Sequence, residues 1–133
     1  MANLSSTLGI EEPLAQQLLT VNIVNTQSLL LQCATKEGRQ RVAQSSGIDE
    51  RQLLAWVQRL DLFRVKGIGG DYATLLSTLG VETLKDLASK RADALHSKMS
   101  EVNKSRQIVR QLPTLRRVEQ WVTKARDLSP KVR

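Results

Sequence analysis

Cysteine occurs once in this chain, at Cys33, and histidine once, at His96. A single thiol cannot close an internal disulfide, and one Cys with one His falls short of the ligand set a zinc site needs, so neither a metal nor a redox role is expected. Aromatic residues number four, Phe63, Tyr72, Trp56 and Trp121. That is too few for a single-strand platform, which stacks successive bases on rings. No apolar run approaches the roughly 20 residues that cross a bilayer, and Met1 to Thr7 is not a basic stretch followed by a long apolar one; a soluble, cytoplasmic protein is the expectation. Ser5, Ser6, His96, Cys33 and the carboxylates form no recognisable triad, paired-acid site or metal motif, and no phosphate-loop or dinucleotide fingerprint occurs. The chain therefore reads as non-enzymatic and without a cofactor. His96 fits a capping or partly buried structural role, and Cys33 a small core hydrophobe.

What is present is ordinary globular material: 133 residues, 41% hydrophobic and 25% charged, enough for one compact domain and unlike a disordered chain. The net charge of +7 is unevenly spread. Residues 1–61 carry five Lys/Arg against six Asp/Glu, a net −1, and residues 62–133 carry fifteen against seven, a net +8. An acidic partner such as a phosphate backbone would dock on the second half, although Lys and Arg also serve as helix formers on solvated faces.

Apolar positions recur at helical spacing and nothing alternates as a half-buried strand would, so the chain reads as all-α. Pro13 suits the first turn of a helix carrying Leu14, Leu18, Leu19 and Val21 inward, with Glu11 and Glu12 at its positive end. Asn25 or Thr26 caps a helix through Leu29 and Leu30, a short basic helix spans Thr35 to Gln44 and ends near Gly47, and Asp49 with Gln52 spaces as a capping box for a helix through Trp56 and Leu60. In the second half, Asp61 is expected to cap a short helix Leu62 to Lys66. After Gly67-Ile68-Gly69-Gly70 come a helix Asp71 to Leu79, one begun by a Thr83/Asp86 capping box, a short segment near Ala94 to Met99, a helix around Lys104 to Leu112, and a last helix launched by Pro113-Thr114.

Set against itself at an offset of 58, the chain pairs Gly9 with Gly67, Ile10 with Ile68, Ala15 with Ala73, Leu18 with Leu76, Ile23 with Val81 and Leu29 with Leu87. With seven more residues in the second copy, Trp56-Val57 pairs with Trp121-Val122. This order of matches predicts an internal repeat: a tail at 1–7, a first unit at 8–60, a second at 61–128 and a tail at 129–133.

The sharpest local signal is Leu62-Phe63-Arg64-Val65-Lys66-Gly67-Ile68-Gly69-Gly70-Asp71-Tyr72-Ala73-Thr74-Leu75-Leu76, which resembles the helix-hairpin-helix motif. Glycine at 67 and 69 permits a sharp turn, and Ile68 between them plugs the core. Main-chain N–H groups at the turn and the start of the next helix would face a phosphate oxygen, reinforced by Arg64 and Lys66. The resemblance implies backbone-directed, salt-sensitive, weakly sequence-selective contact with DNA or RNA. Gly67, Gly69 and Gly70 would supply main-chain donors, and Arg64, Lys66, Lys104, Arg106, Arg110, Arg116 and Arg117 the positive surface. The first copy places Glu11 and Glu12 where the second has Gly69 and Gly70, so two carboxylates stand where an anion would sit and that hairpin is expected to be structural.

From about Leu8 to Leu128 the sequence is also similar to the bacterial, especially cyanobacterial, DUF4332 helix-hairpin-helix family of uncharacterised function. The likeness rests on Leu62 to Gly69, Leu79-Gly80-Val81-Glu82-Thr83, Leu95-His96, Glu101-Val102-Asn103, Leu112-Pro113-Thr114 and Val118-Glu119-Gln120-Trp121. It implies two tandem helix-hairpin-helix-like units packed into one compact helical domain, in a bacterial cytoplasmic setting. Two functions stay open. One is a nucleic-acid-binding accessory protein. The other is a protein–protein adaptor or assembly factor whose hairpins serve only as structure, a reading favoured by the acidic first hairpin, by Asp71 beside the second and by the scarcity of stacking rings.

Overall fold

The computed structural model describes residues 3–133, and among them every regular element is a helix. Local chemistry explains most of the boundaries. Asn3 caps α1 (Leu4–Leu8), its Oδ1 accepting from the Ser5 amide at 2.7 Å, and Gly9 ends it in the left-handed region. Pro13 sits in the first turn of α2 (Glu12–Leu19), where its missing N–H forfeits no bond. Asn25 caps α3 (Thr26–Cys33) through a reciprocal box with Ser28, and Thr35 caps α4 (Lys36–Ser46), which Gly47 closes at φ 80°.

α5 (Glu50–Leu62) departs from expectation at both ends. Asp49 takes the Arg51 amide at 2.7 Å and the Arg51 guanidinium, while the Gln52 amide goes to the Asp49 main-chain oxygen, so no box with Gln52 forms. That side-chain bond from Arg51 holds the Asp49 carboxyl below its ordinary range. At the other end the helix runs through Asp61 instead of restarting there. Asp61 is buried and its carboxylate accepts from Arg64 at 2.7 Å, and the expected helix Leu62 to Lys66 is a succession of tight turns.

Beyond the turns lie α6 (Gly70–Thr78), α7 (Leu84–Ala88), α8 (Ala92–Arg106) and α9 (Leu115–Asp127). The Thr83/Asp86 box opens α7 and Thr114 caps α9. α8 is one helix of 15 residues where two segments were expected, and the stretch read as a helix from Lys104 to Leu112 is mostly non-helical. The physical reason is local. Gln107 enters the left-handed region at φ 48°, and the Asn103 side chain then takes both polar groups of Val109, donating to its carbonyl at 3.1 Å and accepting from its amide at 2.9 Å. Those groups are thereby removed from any helical ladder.

The chain divides into two compact units, one reaching to Leu60 and rejoined by Lys131–Arg133, the other Asp61–Pro130. The N-terminal tail expected at 1–7 lies partly outside the described residues, and α1 occupies much of the rest. The units repeat one another in detail. Ile10 and Ile68, Leu18 and Leu76, Ile23 and Val81, and Leu29 and Leu87 are all buried. The Ile23 amide meets the Leu18 carbonyl at 3.0 Å and the Val81 amide the Leu76 carbonyl at 2.9 Å. Asn22 at φ 63° matches Gly80 at φ 78°, and the Asn25/Ser28 box matches the Thr83/Asp86 box. α5 and α9 each run 13 residues and bury their tryptophans, Trp56 and Trp121.

In the second unit α7 and α8 both pack on α9, and α6 packs on α8. Leu76, Leu84, Leu87, Met99, Val118 and Trp121 fill the space between them. Burying each such side chain contributes about 1.5–3 kcal/mol, which is what fixes the elements flanking the glycine turn.

Candidate nucleic-acid interface

The turn following α5 is built from short-range bonds: the Arg64 amide to the Asp61 carbonyl at 3.2 Å, Val65 to Leu62 at 3.0 Å, and Ile68 to Val65 at 3.2 Å. Two constraints demand glycine at 67. Its φ is +95°, and a Cβ there would stand 3.1 Å from Trp121 Nε1. Ile68, 5% exposed, anchors the turn in the core. Gly69 then caps α6 in an extended conformation with no side-chain cap, and nothing lies within 4 Å of a Cβ placed at Gly69 or Gly70. The Gly69 carbonyl receives the Ala73 amide at 2.9 Å, so the earlier amides of this first turn have no intrahelical acceptor and the positive end of the helix is sterically open.

A pocket of about 420 Å³ lies here, lined by Gly67, Gly69, Gly70, Asp71, Tyr72, Val109, Arg110 and Gln111. A second, of about 520 Å³, shares Asp71, Val109 and Arg110 with it and adds Asn103, Lys104, Gln107 and Ile108. The wall opposite the glycines is thus the stretch after α8, held in place by Asn103 and by the Tyr72 hydroxyl, which donates to the Gln111 carbonyl at 2.9 Å. The Tyr72 ring rests against Trp121, centroids 5.3 Å apart and planes tilted by 55°. His96 Nε2 lies 2.9 Å from the Pro113 carbonyl, a structural position.

The structure therefore gathers five of the ten expected site residues, Gly67, Gly69, Gly70, Lys104 and Arg110, around adjoining pockets. Lys66 is exposed beside the turn. Arg64 is otherwise engaged, with Nη1 donating to Asp61 at 2.7 Å and to the Ser129 carbonyl at 2.9 Å, so it braces the turn. Arg106 is exposed at the end of α8. Arg116 and Arg117 are exposed in the first turn of α9, where Arg116 lines a different pocket with Glu119, Lys124 and Asp127. Asp71 intrudes on both pockets with an acidic group. Tyr72, Asn103 and Gln111 shape the site without having been read from sequence. The phenol of Tyr72 three residues past Gly69 was the available signal, but its acceptor lies 39 residues away.

In the first unit the corresponding turn is acidic: Glu11 caps α2, Glu12 follows, and Glu12 accepts from Gln16 at 2.7 Å. Among the described residues no group of three or more His, Cys, Asp or Glu is placed to hold a metal ion, and no helix is long and apolar enough to cross a membrane.

Such an architecture, all-helical with one basic, glycine-floored pair of pockets, is consistent with a non-catalytic module. The chain belongs to the family described as a domain of unknown function, DUF4332, whose model matches residues 8–128. No curated protein and no solved structure matches it.

Proposed function

We propose that this protein is a non-enzymatic binding module that holds the backbone of DNA or RNA through a helix-hairpin-helix formed by the end of α5, the Gly67–Gly70 turn and α6. One observation carries the reading: the unobstructed first turn of α6 opens into the same pocket as the exposed Arg110, with Lys104 in the pocket adjoining. Main-chain donors and a helix dipole suit a phosphate oxygen, and neighbouring cations release counterions as the backbone docks. Arg116 and Arg117 add support, because two cations at the positive end of α9 oppose its dipole and gain nothing locally. Recognition of this kind reads phosphates and is weakly selective for sequence.

The test is fluorescence anisotropy of labelled duplex and single-stranded DNA and RNA at about 50 and 200 mM salt, with Gly69→Glu and Arg110→Ala compared with wild type. Binding that weakens steeply with salt, and that both folded variants reduce, is the expected result. Absence of binding even at the lower salt overturns the reading.

A second reading, a protein adaptor, is favoured by Leu19, Val24 and Leu31 of the first unit, exposed at 46%, 58% and 81%. Isolated exposed apolar residues are common, but Leu31 is almost wholly bare. Under this reading Val24→Ser/Leu31→Glu abolishes association seen by sedimentation while leaving anisotropy titrations unchanged.

A further inference from the structure

Trp121 lies in α9 and is 2% exposed, yet among the described residues its Nε1–H has no hydrogen-bond acceptor. Buried donors are almost always paired, because leaving one short of an acceptor costs stability. No wholly enclosed side-chain nitrogen or oxygen among the described residues lacks a partner, so this N–H keeps a narrow opening to the surface. Gly67 accounts for the opening. A Cβ there would stand 3.1 Å from Nε1 and 3.9 Å from Cε2 and, chain neighbours apart, would meet nothing else within 4 Å. The missing side chain thus leaves the donor uncovered, on a residue that itself lines the pocket with Gly69 and Gly70. The Tyr72 ring, from the same lining, packs on the indole with centroids 5.3 Å apart and limits its rotation. The first unit supplies the comparison. Gly9, the counterpart of Gly67, is also left-handed at φ 68°, but nothing lies within 4 Å of a Cβ placed on it. A left-handed glycine in this turn therefore does not by itself call for an indole N–H against it.

We propose that the Trp121 indole N–H is a donor of the Gly67–Gly70 site, binding a phosphate oxygen that also accepts from the first-turn amides of α6. The bare edge of Gly67 then has a second purpose besides its φ: it keeps open the way from the pocket to a donor supplied by another helix. The distance of 3.1 Å between Nε1 and the place of the absent Cβ is itself of hydrogen-bond length, so an oxygen entering beside Gly67 comes within reach of the indole. The proposal rests on the nucleic-acid reading for the source of the phosphate. It differs from the part played by Arg110 and Lys104 in one measurable respect, since an uncharged donor strengthens binding without releasing counterions.

Nitrogen–proton NMR correlation spectra of the intact chain test it, because Trp56 and Trp121 are its only tryptophans and give separate indole signals. On titration with a short mixed-sequence DNA duplex or its RNA counterpart, the Trp121 indole proton should move downfield as it gains a charged acceptor, while that of Trp56 stays in place. In anisotropy titrations Trp121→benzothienylalanine, which keeps the bicyclic ring but carries sulfur in place of N–H, should weaken binding about tenfold at every salt concentration. The slope against salt should stay at its wild-type value, whereas a merely structural defect would disturb the cationic contacts and the slope with them. If nucleic acid binds and Gly69→Glu weakens it, yet the Trp121 signal stays in place or the sulfur analogue binds like wild type, this inference falls and the nucleic-acid reading stands. If nucleic acid does not bind, inorganic phosphate added at constant ionic strength decides. A downfield Trp121 signal then upholds the donor in a site for free phosphate and overturns only the nucleic-acid reading, and an unmoved signal overturns both. Should the analogue fail to fold, the wild-type indole signal decides alone.

Discussion

At the scale of single residues, the two glycines that look interchangeable in the turn do different work. Gly67 sits at φ +95° where a Cβ would stand 3.1 Å from Trp121 Nε1, whereas Gly69 is extended and faces open space. A methyl at 67 adds left-handed strain and a short contact, so Gly67→Ala should lower stability by about 1–3 kcal/mol. Gly69→Ala should lower it by no more than about 1 kcal/mol, since Ala is a poorer N-cap than Gly but also restricts the unfolded chain. Thermal unfolding followed by circular dichroism separates the two, and equal midpoints would refute this account of the turn. Cys33 permits a second prediction. Burial pushes its thiol up from 9.0 to about 11, partly countered by Arg39 and Arg41. The folded chain then holds this proton more tightly than the unfolded chain. The corresponding stability is complete below pH 9 and is lost as pH climbs from about 9 toward 11. Urea midpoints of wild type should fall more steeply across that window than those of Cys33→Ala; parallel curves would show that the thiol is not desolvated.

At the scale of elements, the end of α8 decides the shape of the site. Asn103 satisfies both polar groups of Val109, and Gln107 bears a left-handed conformation that costs an L-residue about 1–2 kcal/mol. Asn103→Ala should therefore destabilise by about 1–3 kcal/mol by leaving the Val109 groups short of partners, while Gln107→Gly should stabilise by up to about 1 kcal/mol. Urea unfolding of both variants checks the pair of opposite signs. This corner also shows why part of the fold was legible and part was not. Boundaries set by neighbours in sequence, such as Pro13 in α2, Gly47 after α4 and the Thr83/Asp86 box, could be read because cap and helix lie within a few residues. Ile108, Val109 and Leu112 have helical spacing too, yet the Asn103 side chain from the preceding helix claims the backbone of Val109. Asp61 has cap chemistry, but the helix running through it and the Arg64 guanidinium make it a buried strut. For the site the division is the same. The glycine turn was visible in one stretch of chain, whereas the Tyr72–Gln111 bond, the Trp121 support and the diversion of Arg64 to Ser129 join residues 39 to 65 positions apart.

At the scale of the whole molecule, the excess of positive charge lies in residues 62–133, and the two copies of the repeat differ most where an anion would meet them, Glu11 and Glu12 in one and Gly69 and Gly70 in the other. Carboxylates occupy these two positions in the first unit, whereas the glycines of the second leave the positive end of α6 sterically open. If phosphate docks there, each cation touching the backbone contributes about 0.9 to the slope of log K against log salt on duplex DNA. Arg110, exposed in both pockets, should reduce that slope by about 1 when replaced by Ala, and Lys104→Ala should do likewise. Arg64 is committed to Asp61 and Ser129, so Arg64→Ala should leave the slope unchanged while lowering thermal stability. Asp71 supplies the opposite sign: Asp71→Asn removes a negative charge from the pockets and should tighten binding severalfold at low salt, with the gain shrinking as salt rises. Titrations of these four variants between about 50 and 200 mM salt test the assignment residue by residue. A slope that falls equally for Arg64→Ala and Arg110→Ala would mean that the positive surface acts diffusely, with no contact assigned to the glycine turn.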